Sequence, residues 1–254
     1  MNHLELKIEL EKRCNLYQNP DFILNDPIQI PQKFSKKEDI EISAFLTSVI
    51  AWGIRKSIIN NANKLMGLMD NSPFDFIKNA SEKEIEKINL FKHRTFNGDD
   101  CRYFIKSLRN IYLNHKGLEN VFTSKFNDTN SIAESLIYFR SVFFELEHPR
   151  RVEKHLSDIN KNSAAKRLNM FLRWMIRGNE NGVDFGIWKG IPTSALYIPL
   201  DVHVGNVARN LGLLTIKDNN WKAVLELTEN LKKFDKNDPI KYDFALFGYG
   251  VNNK

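Results

Sequence analysis

The sequence predicts an all-α protein, and three observations support this class. Apolar residues recur at helical spacing in successive segments, which indicates amphipathic helices. Prolines and residues that favour helix N-caps punctuate these segments. Runs of alternating β-branched residues, which would indicate strands, are lacking in the sequence. The spacing predicts about ten to twelve helices.

The first part of the chain is predicted to hold an opening helix and a helical hairpin. Residues 2–17 place apolar side chains on one side and charges elsewhere. Three prolines then punctuate residues 20–31, because proline cannot donate a hydrogen bond within a helix. Helical spacing returns over 37–52, and Gly53 permits a turn before a second helix over 54–69.

The middle of the chain is predicted to be helical as well. Ser81 and Glu84 form a capping-box pattern, so a short helix should follow. Residues 100–115 and 131–146 show amphipathic spacing, and the aromatic residues of the second segment are predicted to be core.

Two later helices carry the residues that suggest chemistry. Ser163 is predicted to cap a helix with Lys166 in its opening turn. Asp201 follows a proline two residues upstream and is predicted to begin a second helix. The intervening loop, residues 178–197, is long enough to fold the second helix back near the first. A lysine amine and a carboxylate could therefore share one cleft.

The C-terminal part is predicted to contain two more helices. Asp218 is placed to cap a helix that ends near Phe234. Asp238 and the proline after it open the last helix, which Gly248 and Gly250 are predicted to stop.

Composition narrows the class of protein and partner. The net charge of +6 suits a polyanionic partner. No stretch approaches the roughly 18 apolar residues of a membrane span, and the first residues do not resemble a signal peptide, so we expect a cytoplasmic protein without a membrane partner. Cys14 and Cys101 stand apart, with no ligand spacing around them, so no metal site, metal cluster or cofactor is predicted.

Each candidate residue has a structural alternative. Asp201 is also a favoured N-cap residue, and Lys166 could be a solvated lysine on a polar helix face. Lys189, in the loop between the two helices, is a rival nucleophile. The basic run over 150–161 could be an ordinary solvated surface.

Segment 198–212, with Asp201 after a proline and leucine, His203 two residues later and Arg209 within two turns, resembles the aspartate-bearing segment of the helix-hairpin-helix DNA glycosylases. That superfamily includes endonuclease III and the 8-oxoguanine DNA glycosylases. Residues 41–52 look like its early core helix. Segments 91–98, 166–174 and 238–248 look like an uncharacterised bacterial family, a domain of unknown function placed near that superfamily.

The resemblance implies a two-lobed helical glycosylase-like fold in one domain over 1–254. The central lobe would span roughly 37–146, and the second lobe would combine 1–36 with 147–254. Lys166 would be the nucleophile and Asp201 the catalytic carboxylate.

Further residues would bind DNA or hold the extruded base. His203 would contact a phosphate. The DNA-binding set implied by the resemblance is His203, Lys161, Asn162, Ser163 and Arg209. Asp243 and Phe247 would help hold the base, with Trp52 or Trp188 as further stacking candidates.

The sequence also departs from the superfamily. The hairpin of the superfamily carries a Leu-Pro-Gly-x-Gly turn. The corresponding stretch of this sequence, 159–163, has no glycine, which makes the hairpin degenerate. The four-cysteine cluster of endonuclease III is absent.

The sequence therefore predicts a monomeric DNA repair glycosylase that binds double-stranded DNA with a damaged, oxidised base. Its lysine would form a Schiff base and support abasic-site lyase chemistry in base excision. The alternatives are a non-catalytic DNA- or RNA-binding module on the same scaffold and a helical protein-interaction subunit.

Overall fold

Capping and amphipathic spacing produce a helical chain, as predicted. The computed structural model describes residues 2–178, 180 and 182–252. The chain is about 67% helical, which confirms the all-α class. The predicted loop 178–197 includes Asn179 and Asn181, which lie outside the described residues. Nowhere in the described part does a helix combine the length and apolar character needed to cross a bilayer.

Thirteen α-helices and one small hairpin make up the regular structure of the described residues. The helices are α1 (His3–Tyr17), α2 (Asp21–Leu24), α3 (Lys37–Ile50), α4 (Arg55–Leu68), α5 (Pro73–Asn79), α6 (Glu82–Glu86), α7 (Gly98–Asn114), α8 (Leu118–Thr129), α9 (Ile132–Phe143), α10 (Lys166–Ile176), α11 (Val202–Asn210), α12 (Trp221–Lys232) and α13 (Tyr242–Asn252). The strands β1 (Lys92–His93) and β2 (Phe96–Asn97) pair antiparallel. Short 3₁₀ turns cover Pro27–Gln29, Pro31–Lys33, Lys87–Leu90, Arg150–His155, Ile159–Lys161, Thr193–Ala195 and Pro239–Lys241.

Four local expectations were wrong. Asp218 does not cap α12; the N-cap residue is Asn220, whose side chain accepts from the N–H of Ala223. The hairpin was not predicted; Arg94 takes a left-handed conformation (φ 56°) in its turn, where glycine is more usual. Gly248 and Gly250 do not stop α13, which continues through both. Ser163 does not cap α10; the N-cap position is Ala165.

The chain divides into two units. The first comprises Met1–Ile23 with Asp158–Lys254, and the second comprises Leu24–Ser157. We call them the discontinuous unit and the continuous unit. The boundaries predicted from the sequence, near residues 37 and 146, stay a prediction.

The continuous unit is built around a cluster of phenylalanines. Phe45 of α3 stacks with Phe104 of α7 at 6.1 Å between ring centroids, and Phe143 of α9 lies 4.7 Å from Phe104. Phe139 and Phe143 are fully buried, as the aromatic stripe predicted, and Phe144 is only partly buried. Burial of such rings is the main source of stability for a helical core.

The discontinuous unit is organised around α13, which packs against both α1 and α11. Gly248 makes the contact with α1 possible, because a Cβ atom there would lie 2.3 Å from Cγ of Tyr17. Tyr242 also donates a hydrogen bond to Glu11 of α1 at 2.7 Å. The last helix is therefore held by the first one.

Candidate functional site

The structure brings the side chains of Lys166 and Asp201 together. The Lys166 Nζ lies 3.9 Å from Asp201 Oδ2, and both side chains are partly exposed (27% and 22%). Lys166 is the first residue of α10, and its Nζ also lies 3.7 Å from the sulfur of Met170. The fold therefore brings together two residues that are far apart in the sequence. Their catalytic roles stay predictions.

Asp201 occupies the N-cap of α11, as its sequence context predicted. Its Oδ1 accepts a hydrogen bond from the backbone N–H of Val204 at 3.0 Å. This bond uses one carboxylate oxygen and leaves the other facing Lys166. The N-cap alternative and the site hypothesis are therefore compatible, because one carboxylate serves both.

Among the described residues, Lys166 is the cation within 4 Å of Asp201. Lys189, the rival nucleophile, is exposed and makes no such pair. Its neighbour Trp188 is 1% exposed and packs edge-on against Phe171 at 5.4 Å. Trp188 is thus part of the core and offers no face for a stacked base.

The predicted hairpin stretch forms a 3₁₀ turn that leads into α10. Asp158 caps this turn through the N–H of Asn160 at 3.0 Å. Asn162 adopts a left-handed conformation (φ 59°), which asparagine tolerates better than most residues. An asparagine therefore makes this left-handed turn, and the stretch needs no glycine there.

The start of α10 has no side-chain cap. Ala165 is left-handed (φ 47°) and, at the N-cap position, provides no side-chain cap for the helix. The hydroxyl of Ser163 instead accepts from the N–H of Ala165 at 3.3 Å. Lys161 stands nearby in sequence with 76% of its side chain exposed.

Asp243 lies in α13 and is buried (5% exposed) beside the pair. Burial raises the pKa of its carboxyl to about 6; Arg173 opposes this increase, and the charge of Asp201 adds to it. Asp243 accepts a hydrogen bond from Nη1 of Arg173. A carboxyl that titrates near neutral pH therefore adjoins Lys166 and Asp201.

Arg173 belongs to a buried ion network that the sequence did not predict. Its Nε lies 3.2 Å from Asp184 Oδ1, and Arg177 Nη1 lies 3.0 Å from the other oxygen of Asp184. Arg177 also pairs with Asp238 at 2.8 Å. Both arginines are buried, although arginine is mostly exposed in proteins unless it is paired.

His203 of α11 and Phe247 of α13 contact each other through their rings. Their ring centroids are 6.2 Å apart with the planes nearly perpendicular. Both side chains are half-buried, so each has an accessible part. Their contacts with a phosphate or a base stay predictions.

Two other predicted residues have structural partners. Arg209 donates to the carbonyl of Ile216 at 2.9 Å and to Asn219 at 2.7 Å, which anchors the loop after α11. Trp52 belongs to the continuous unit, where the Arg94 guanidinium lies 4.6 Å from its ring centroid. A DNA contact by Arg209 and base stacking by Trp52 stay predictions.

No three His, Cys, Asp or Glu side chains within the described part are arranged to hold a metal ion. The candidate site consists of Lys166, Asp201 and Asp243, supported by Arg173. An amine beside two carboxylates can act as a nucleophile, stabilise positive charge and exchange a proton.

Comparison with known proteins assigns the family. No curated protein and no solved structure matches the chain. The family model described as "Protein of unknown function (DUF2400)" matches residues 26–252, which is most of the chain. The protein therefore belongs to the DUF2400 family.

Proposed function

We propose that the protein is a DNA glycosylase with lyase activity, acting on a damaged base through Lys166. The observation that carries the proposal is the approach of the Lys166 amine to Asp201, 3.9 Å apart at a partly exposed position. The resemblance of segment 198–212 to the aspartate-bearing segment of helix-hairpin-helix glycosylases adds to it.

The chemistry follows from the two groups. The neutral amine of Lys166 attacks C1′, the new C–N bond forms, and the bond from C1′ to the base breaks with its electrons leaving on the base. The proton released by the amine neutralises the departing base. Asp201 stabilises the positive charge that develops on the sugar. Opening of the sugar ring then gives a Schiff base, from which loss of a C2′ proton expels the 3′ phosphate.

DNA binding is supported by the start of α10. The N-cap residue, Ala165, provides no capping side chain, and a helix N-terminus carries positive dipole charge, which suits a phosphate oxygen. The exposed ammonium of Lys161 adds charge on the same segment. A phosphate held there would lie next to Lys166 along the chain.

The extruded base would meet Asp243, Phe247 and His203. A protonated Asp243 donates a hydrogen bond and an ionised one accepts, and its pKa of about 6 makes both forms available near neutral pH. The Phe247 ring offers an apolar surface for stacking. We infer an oxidised purine as the substrate class.

A second candidate, a DNA- or RNA-binding module without catalysis, is supported by the turn 159–163. The stretch lacks the glycines that let backbone N–H groups approach a phosphate closely.

Borohydride trapping on duplex oligonucleotides that carry 8-oxoguanine or an abasic site separates the two candidates. The proposal expects a covalent complex with the wild-type chain, its loss in Lys166→Gln and its retention in Lys189→Gln. Lys189 is the matched control, because it is an exposed lysine of the same unit.

Tight binding of the same duplexes with neither trapping nor base release would establish the binding module instead. Loss of trapping in Lys189→Gln with retention in Lys166→Gln would contradict the assignment of the nucleophile.

A further inference from the structure

A second group of charged side chains lines a cavity in the continuous unit. The cavity has a volume of about 410 Å³, within the range of small-molecule sites. Its charged walls come from α3, which provides Lys37, Glu38 and Glu41, and from α8, which provides Glu119. The rings of Phe74 and Tyr112 form the apolar part.

The charge of the cavity favours a cation. Three glutamates and two lysines, Lys37 and Lys116, belong to its lining. Lys37 donates to Glu119 and lies 3.9 Å from Glu41. Although burial acts against it, the hydrogen bond to Glu119 and the nearby carboxylates raise the pKa of Lys37. The cavity thus already stabilises one ammonium group, and that group has 48% of its side chain exposed.

Glu41 is the fixed acceptor of the site. It is 2% exposed, and the hydroxyl of Tyr112 donates to its Oε2 at 2.7 Å. Burial, with the charge of Glu41 next, holds the pKa of Tyr112 well above its usual range, so the phenol remains a donor. The hydrogen bond from Tyr112 therefore holds this carboxylate in position beside the ammonium of Lys37.

The aromatic walls also suit a cation. The Phe74 and Tyr112 ring centroids are 5.2 Å apart. The ammonium of Lys36 lies 4.3 Å from the Phe74 ring centroid, which shows that this ring accepts a cation. The hydroxyl oxygen of Thr123, another lining residue, is buried without a hydrogen-bond partner among the described residues.

We propose that this cavity binds an organic cation, a primary ammonium or guanidinium group on an aliphatic stem, which displaces the Lys37 ammonium from Glu41 and Glu119. The stem would pack on Phe74 and Tyr112, and the cation would take the carboxylates. An anion would meet three glutamates against two lysines, and a compact ion would leave the apolar walls unused. The site is separate from Lys166 and Asp201 and does not depend on the proposed reaction.

Isothermal titration calorimetry on the full chain tests the proposal with matched probes. N-acetyl-arginine amide represents a peptide side chain, spermidine represents a free polyamine, and N-acetyl-citrulline amide is the uncharged match of the first. We expect saturable one-site binding of at least one cation and none of the citrulline probe. The cation that binds more tightly shows whether the natural ligand is a peptide side chain or a free polyamine.

Two substitutions should act in opposite directions. Glu119→Gln removes an acceptor and should weaken cation binding about three- to five-fold, as expected for a partly exposed ion pair. Lys37→Gln removes the ammonium group that competes with the ligand, so it should strengthen cation binding by a similar factor. Glu86→Gln, an exposed glutamate of the same unit outside the cavity lining, is the control. Thermal unfolding of each variant confirms that it is folded.

Absence of binding by both cations, equal binding of the citrulline probe, or unchanged affinity in Glu119→Gln would overturn the proposal. If Lys37→Gln does not fold, Glu38→Gln provides a second test on the same wall, and its cation affinity should fall.

Discussion

Lys166 of the discontinuous unit and Lys37 of the continuous unit both lie beside carboxylates, but they are held differently. Lys37 donates a hydrogen bond to Glu119, and its pKa is raised, so its ammonium form is favoured. The Lys166 amine lies 3.9 Å from Asp201 and 3.7 Å from a thioether sulfur. Because a nucleophilic amine must lose its proton, a lysine whose neighbouring carboxylate lies beyond hydrogen-bond distance is better suited to attack carbon.

The strongest test of this difference is to remove each amine in turn. Lys166→Gln should reduce the rate of covalent-complex formation by about 10⁴-fold, because loss of a nucleophile removes the reaction path. Lys37→Gln should leave this rate within about two-fold. Single-turnover trapping with borohydride measures both. Equal losses in the two variants would remove the distinction between the lysines.

The two regions should also differ in what an ion pair contributes to stability. Arg173→Met leaves the buried carboxylates of Asp184 and Asp243 without this partner and should lower the free energy of unfolding by about 3–5 kcal/mol. Glu119→Gln, at a partly exposed pair, should lower it by less than about 1 kcal/mol. Urea denaturation at pH 7 measures both changes. Similar changes in the free energy of unfolding would mean that the network around Arg173 stabilises the protein no more than the pair between Lys37 and Glu119.

The carboxylates of the two regions can be compared in the same way. Asp201→Asn keeps a good N-cap residue but removes the charge that stabilises the sugar cation in the proposed reaction, so base release should fall by about 10²–10³-fold. Duplex binding should be nearly unchanged. Glu41→Gln should leave base release at the wild-type rate. Base release and gel-shift affinity, both measured on one lesion duplex, check these outcomes. A lower free energy of unfolding in Asp201→Asn would point to a structural role alone.

The smallest expected effect concerns pH. The pKa of Asp243 is raised to about 6 from an ordinary value of 3.8. The folded protein therefore binds more protons than the unfolded chain between these values, and this group costs stability as pH rises from about 4 to 6. The shift corresponds to about 3 kcal/mol at most.

Asp243→Asn should remove this pH dependence. The difference in unfolding free energy between variant and wild type, measured by urea denaturation from pH 4 to 7, should grow in favour of the variant as pH rises and level off above pH 6. A difference that is flat with pH would contradict the raised pKa.

Local signals were sufficient for the helices that carry the candidate pair. Helical spacing identified α10 and α11, and the proline upstream of Asp201 marked where the second helix begins. The approach of Lys166 to Asp201 was anticipated because a long loop separates the two helices. These features depend on short stretches of sequence that can be recognised one at a time.

The buried partners could not be found in this way. Arg173 and Asp243 are 70 residues apart, and Tyr112 and Glu41 are 71 residues apart. Only the packing of distant helices decides that these groups are buried together. The left-handed conformation of Ala165 could not be predicted either, because alanine does not favour it and the preceding turn imposes it. As a result Ala165, and not the predicted Ser163, occupies the N-cap position.

The contact between α1 and α13 has a practical consequence for work on this family. The family match begins at residue 26, yet α1 lies before it and supplies the surface against which Gly248 and Tyr242 pack. A shortened protein that starts at residue 26 would expose one side of the helix that carries Asp243 and Phe247. Trimming the protein to the family boundaries would thus remove support from α13 while leaving Lys166 and Asp201 in the chain, and such a fragment would be a misleading reagent for activity screens.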